Sequence, residues 1–313
     1  MSAVPHDEPE DPGYRRWDCM VEDPEVLVRA EADARTAIVA GECIVLPTDT
    51  VYGIGADAFN AAAVQRLLDI KVRGRDMPPP VLIAEPTLIR ALATDIPDEA
   101  RQLVAAHWPG PLTIILKRQP SLKMDLGDTE GTVALRVPDH ELARDILRAT
   151  GPMAVSSANV SGLPAALTCD DAVGQLGASV AVYLDVGRLG EDGQPASTIV
   201  DFTQADHGQV LRRGALSAAV LREISPDLED LVADGGEAEV QEAPEGDGKT
   251  GVGDAEVIKQ EILATELDES ADEPSTDEPS TDEPAVDEPS TDEPSSTHPD
   301  HDSDQPNLFE QRT

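Results

Sequence analysis

From Asp272 to Ser296 the chain runs DEPST, DEPST, DEPAV, DEPST, DEPSS, an acidic, proline-punctuated near-repeat with almost nothing apolar to bury. Such a segment cannot offset the entropy of ordering its own backbone. Its five-residue period is also too short for a stacked-repeat architecture. Residues 233–313 together hold 26 acidic and 3 basic residues, so the last quarter carries most of the chain's net charge of −39. Residues 226–313 are therefore expected to form a disordered acidic tail, and polar residues 1–23 a frayed extension. What remains, 24–225, is long enough for one domain with its own hydrophobic core.

Residues 1–232 contain 36 acids and 20 bases. That net negative balance argues against broad, nonspecific nucleic-acid binding, which needs local positive charge, but leaves room for a small basic pocket. No apolar run reaches the roughly 18 residues of a membrane span, and the N-terminus lacks signal-peptide regions, so the expected location is cytoplasmic. Cys19, Cys43 and Cys169 are too few and too far apart for a disulfide framework or a metal knuckle, and read as reduced thiols. The histidines are scattered, and no metal site built from protein side chains is expected.

Between 24 and 225, helix-like and strand-like stretches alternate, the pattern of an α/β layer structure. Helices are expected near 24–40, 60–71, 86–93, 97–107, 139–149, 169–176 and 217–224. Buried strands are expected at 43–47, 80–84, 112–117, 132–137, 153–157, 181–185, 197–202 and 209–212. The implied fold is a twisted mixed β-sheet of about seven strands with helices on its faces.

The scarce polar and basic groups of this region fall where expected strands end, the usual place for ligands in α/β sheets. Thr48-Asp49-Thr50 through Gly53 follows the first strand, and the same string serves equally as a turn. Lys71-Val72-Arg73-Gly74-Arg75 puts three cations in five residues, suited to phosphate or to a solvated helix end. No Walker or dinucleotide glycine motif accompanies it. Ser156-Ser157-Ala158-Asn159 through Gly162 offers hydroxyls and an amide at a strand end. Arg136 sits inside the apolar run VALRV and needs a partner, either a bound anion or a carboxylate of the chain. Ser197-Thr198 and Arg212-Arg213 mark two further strand termini.

Taken in order, PTDTVYGIGADA, KVR, WPGPLTIIL, VALRVP, SSANVSG, ASTIVD and VLRRG resemble the threonylcarbamoyl-AMP synthase (YrdC-like) family in its short, single-domain form. The series spans about residues 24–222, nearly all of the expected folded part. The resemblance implies a basic cavity and a nucleotidyltransferase that forms L-threonylcarbamoyladenylate and pyrophosphate from L-threonine, bicarbonate and ATP. A separate threonylcarbamoyl transferase complex would then modify tRNA next to the anticodon, so direct tRNA binding by this chain is expected to be weak or absent.

Residue by residue, the resemblance places Thr48, Arg136 and Ser197 around threonine, and Lys71, Arg75, Thr132, Ser157, Asn159 and Arg212 around ATP. Lys71 and Arg73 would act catalytically through charge, with Mg2+ arriving on the nucleotide and no covalent intermediate. Gly74 and Arg213 depart from the family's pattern, which often has proline at both positions. The flexible stretch 73–80 would serve as a lid. A different class, an RNA-binding or ribosome-maturation module, is the alternative. A carbamoyl-adenylate role within hydrogenase maturation lacks the accessory modules it needs.

Overall fold

A computed structural model describes residues 12–21, 23–191 and 193–232. The expected tail from 233 onward lies outside these residues. Twelve strands are present: β1 (Arg15–Asp18), β2 (Ile44–Leu46), β3 (Gly53–Asp57), β4 (Val81–Leu82), β5 (Ala93–Thr94), β6 (Leu112–Arg118), β7 (Thr132–Arg136), β8 (Met153–Ser157), β9 (Val182–Asp185), β10 (Thr198–Asp201), β11 (Gln209–Arg212) and β12 (Glu229–Asp230). Seven α-helices accompany them: α1 (Pro24–Val39), α2 (Ala61–Ile70), α3 (Ile89–Leu92), α4 (Asp98–His107), α5 (Glu141–Thr150), α6 (Cys169–Leu176) and α7 (Ala218–Arg222).

All twelve strands join one mixed sheet in the order β1-β9-β2-β3-β8-β4-β7-β6-β10-β11-β12, with β5 paired to β6. The α/β class and the mixed sheet agree with the sequence, but the expectation of about seven strands is corrected. The additional strands have little apolar signal. β1 is the polar edge strand RRWD, β5 and β12 are two residues long, and β3 (GIGAD) carries two glycines. The sheet also extends past the expected 24–225 bounds, because β1 runs parallel to β9 and β12 parallel to β11. Residues 15–18 are thus ordered by backbone pairing, which composition does not report.

β3 is a strand because of what it lies against. Its register with β8 sets Gly53 opposite Ser157 and Gly55 opposite Val155. A Cβ on Gly53 would stand 2.7 Å from Val155 Cγ1, so the missing side chain is what admits the valine.

The helices follow from local chemistry. Asp23 accepts a hydrogen bond from the Glu25 amide ahead of Pro24 and starts α1, which buries Ala30, Ala34, Ala37 and Ile38 on one stripe. Asn60 Oδ1 accepts from the amides of Ala62 and Ala63 to start α2. Burial of Leu67 and Leu68, each worth about 1.5–3 kcal/mol, fixes that helix and the Lys71 that ends it.

On one face of the sheet, α1 and α5 pack Ile38, Ile146 and Leu147 onto Ile44, Leu46 and Met153. On the opposite face, α4 and α7 bring Leu103 and Leu221 against Ile114, Leu135 and Val200, while α2 and α6 bring Leu67 and Ala172 against Val45 and Ile54. Side chains alternate along a strand. Thr113 and Ile115 of β6, Ala134 and Arg136 of β7, and Ile199 of β10 therefore point away from that second core. They line a cavity on the first face.

Candidate active site

The cavity has a volume of about 290 Å3, and three guanidinium groups, Arg73, Arg136 and Arg212, reach its lining. They arrive from two strands and one helix end. Arg136 ends β7, Arg73 lies two residues beyond Lys71 at the end of α2, and Arg212 ends β11.

Arg212 faces the cavity because of a β-bulge. Val200 pairs with Val210, yet Ile199 pairs with Arg212, so Leu211 is an extra residue on β11. Were the same sequence paired without a bulge, Leu211 would oppose Ile199 on the cavity face and Arg212 would turn away, since a one-residue slip reverses every side chain. Arg212 is held by its neighbours' oxygens: Nε and Nη2 donate to the Ser197 carbonyl at 3.2 and 2.8 Å, and Nη2 to Ser197 Oγ at 3.1 Å. Burial pushes its pKa down, and repulsion from Arg136 and Arg73 adds to this. All three guanidinium groups line the same cavity.

Arg136 has a partner within the chain. Nη2 donates to Asp49 Oδ1 at 2.5 Å, Nη1 to Thr50 Oγ1 at 3.3 Å, and Nε to the Gly110 carbonyl at 3.0 Å. Of the two partners open at the sequence level, the carboxylate is present. Burial lowers the Arg136 pKa while Asp49 opposes the shift. Thr48 caps the turn that presents Asp49, with its Oγ1 donating to the Val51 carbonyl at 2.6 Å and accepting from the Thr50 amide at 3.1 Å. Ser197 Oγ shares a 2.9 Å hydrogen bond with Thr113 Oγ1. Thr48, Arg136 and Ser197 thus meet at one end of the cavity.

Lys71 is 2% exposed, and its Nζ donates to the carbonyls of Ser157 at 2.7 Å and Asn159 at 2.6 Å. Burial first, then the adjacent Arg73, lowers its pKa to about 8. Among the described residues no carboxylate lies within ion-pair distance of Lys71, Arg73 or Arg212. Arg73 donates from Nη1 to Ser156 Oγ at 3.1 Å, its Nε is buried without a partner, and burial lowers its pKa. Val72 between them adopts φ +51°, a left-handed conformation costly for a β-branched residue.

Thr132 and Ser157 also line the cavity. The side chains of Lys71, Asn159 and Arg75 do not, Lys71 lying buried behind the lining on the Ser157 and Asn159 carbonyls. Asn159 Nδ2 donates to the Val160 and Leu163 carbonyls, and Arg75 forms an ion pair with Asp125 at 2.5 Å. Arg213, beside the cavity residue, turns outward to Asp230 at 2.9 Å. The sequence names Ser156 within its serine-rich string, but it does not single out Asp49 as the Arg136 partner, nor Thr113. The strand-end position of Asp49 was the available signal, whereas Thr113 sits mid-strand and is found only through cross-strand register.

A mixed sheet with a guanidinium-lined cavity on the same face as α1 and α5 defines an α/β protein suited to a small anionic ligand. The family model Sua5_yciO_yrdC, described as "Telomere recombination", matches residues 36–214, and the chain belongs to this family. A Mycobacterium leprae protein named "Putative threonylcarbamoyl-AMP synthase" is 51% identical over 208 residues, covering 66% of this chain and 92% of the relative. The "Threonylcarbamoyl-AMP synthase" of Bacillus subtilis is 37% identical over 161 residues, covering 51% of this chain and 46% of that one. Among solved structures, P. abyssi Sua5 complexed with L-threonine superposes with a TM-score of 0.64 at 27% identity, covering 82% of this chain and 77% of that one.

Proposed function

We propose that this chain is an L-threonylcarbamoyladenylate synthase, joining L-threonine, bicarbonate and ATP with release of pyrophosphate. The observation that carries this reading is the convergence of Arg73, Arg136 and Arg212 on one cavity, two of them without a carboxylate partner among the described residues. Guanidinium groups remain charged even when burial opposes them. Asp49 offsets only Arg136, so the remaining positive field calls for an anionic ligand, and a nucleoside triphosphate with an amino-acid carboxylate fits that demand.

In this reading Thr48, Arg136 and Ser197 receive threonine, with spare guanidinium donors of Arg136 on its carboxylate. Arg73 and Arg212 face the polyphosphate, with Thr132 and Ser157 as neutral donors and the buried Lys71 adding positive field from behind the Ser157 and Asn159 backbone. The carbamate of threonine attacks the α-phosphorus and pyrophosphate leaves, a displacement that needs alignment and charge neutralisation rather than a covalent enzyme intermediate. A carbamate loses CO2 readily in water, so enclosure on the sheet face protects it. The cavity lining supplies no carboxylate cluster that would fix a cation. Mg2+ would enter bound to the triphosphate, where it neutralises phosphate charge.

The reading includes a catalytic domain formed by the described sheet, with the acidic segment beyond it taking no part in the chemistry. It also includes delivery of the product to a threonylcarbamoyl transferase complex acting on tRNA, in the cytoplasm. Among the described residues no helix is long and apolar enough to cross a membrane. The test is transfer of labelled bicarbonate carbon into an AMP-linked product. Label appearing only when threonine and ATP are both present supports the synthase. Salt-dependent RNA binding without such product supports the RNA-binding alternative.

A further inference from the structure

The segment 73–80 and the loop 119–131 belong to distant parts of the chain, yet both line the same cavity, the first through Arg73 and Pro78–Pro80, the second through Leu126 and Thr129. They touch each other at Arg75. Its guanidinium pairs with Asp125 at 2.5 Å, and its backbone carbonyl accepts from the Asp128 amide at 2.8 Å. Gly127 permits this approach: at φ +109°, a Cβ there would lie 2.5 Å from the Arg75 carbonyl oxygen. The residue before Asp125 is tied down separately, through the Arg118 guanidinium on the Met124 carbonyl. Arg75 also donates to Gln65 Oε1 at 3.2 Å, and both members of the ion pair are about half exposed, at 42% and 50%.

We propose that these two segments close the cavity together, with Arg75–Asp125 as a latch that an entering polyphosphate opens by competing for Arg75. Three features support an exchange of partners rather than a fixed strut. Arg75 is only two residues from Arg73, which is already in the cavity. Its partner is a single exposed carboxylate, whose hold on an arginine is weak. A polyanion drawn in by Arg73, Arg136 and Arg212 would present several charged oxygens to a guanidinium able to fork onto two of them. Asp125 is thus a positioning residue, setting how readily Arg75 becomes free. This inference rests on the nucleotide reading above for the competing ligand, but the latch itself does not.

The experiment uses the full chain with Asp125→Asn, Arg75→Gln and the double variant, in two arms. Without nucleotide, amide exchange at Asp128 should quicken about two- to fivefold in each single variant, the range set by an exposed ion pair, and no further in the double variant. With ATP titrated calorimetrically, Asp125→Asn should bind about two- to fivefold more tightly than wild type and Arg75→Gln more weakly. In the Arg75→Gln background, Asp125→Asn should add nothing. Unchanged Asp128 exchange in Asp125→Asn overturns the latch. Weaker ATP binding by Asp125→Asn, or a gain that persists without Arg75, overturns the exchange of partners. Faster Asp128 exchange in a protein that makes no threonine-dependent product would refute the synthase reading and leave the latch standing.

Discussion

Replacing Lys71 with methionine isolates the energetic consequence of burying a cation that the chain itself does not neutralise. The ammonium is 2% exposed and held by two backbone carbonyls, and its pKa falls from 10.5 to about 8. That difference corresponds to about 3 kcal/mol, at 1.36 kcal/mol per unit. The folded-state value is the depressed one, so between pH 8 and 10.5 the unfolded chain holds this proton and the folded protein releases it. Stability therefore rises with pH through that window, and the penalty is fully present below it. Lys71→Met has nothing to titrate there. Urea unfolding of both proteins at pH 7, 8, 9 and 10 should show the wild type gaining on the variant by about 2–3 kcal/mol across the series. Groups common to both proteins cancel in the difference. A difference that stays flat, or shrinks as pH rises, would refute the claim that Lys71 is a desolvated, unneutralised cation.

Other expectations follow from the same geometry. ATP affinity measured without threonine should fall as pH rises through about 8, when Lys71 loses its charge, and Lys71→Arg should abolish that step; an unaltered pH profile in the arginine variant would contradict it. Deleting Leu211 removes the bulge and leaves Arg212 directly after Val210, opposite Ile199 and still on the cavity face. Turnover should then stay well above that of Arg212→Ala, and a loss as large as in Arg212→Ala, in a protein whose sheet is intact by circular dichroism, would sink the bulge argument. Gly214→Ala should destabilise by about 1–3 kcal/mol or more, read by thermal unfolding. Its Cβ would collide with the Ala196 carbonyl and stand 2.5 Å from the Ser197 carbonyl carbon, in rigid backbone beside the site.

How far the sequence discloses this molecule depends on the range of the interactions involved. β6 and β7 are legible because Leu112, Ile114, Leu116, Val133 and Leu135 are apolar at strand period and all enter one core. α2 is legible because its cap and its buried face are local. β3 is not: two glycines hide a strand whose identity comes from Val155, about a hundred residues further along the chain. At the site, polar residues at the ends of strands and of α2 point to Thr48, Arg73, Arg136, Ser197 and Arg212, which line the cavity, and to Lys71 just behind it. The same local signal could not separate Arg73, which enters the cavity, from Arg75, which meets Asp125, since both are cations on one short loop. Nor could it place Arg212 inward and Arg213 outward, because that choice is made by a single extra residue in the pairing of β10 with β11.

The account's central claim is that the three guanidinium groups gather a nucleotide and an amino acid for one reaction. It is tested most directly by pyrophosphate release from the purified full chain supplied with ATP, Mg2+ and bicarbonate, with and without L-threonine, beside Arg212→Ala. Release that requires threonine and drops at least tenfold in the variant is the predicted result. Release indifferent to threonine, or unchanged when Arg212 is removed from a folded protein, would contradict it.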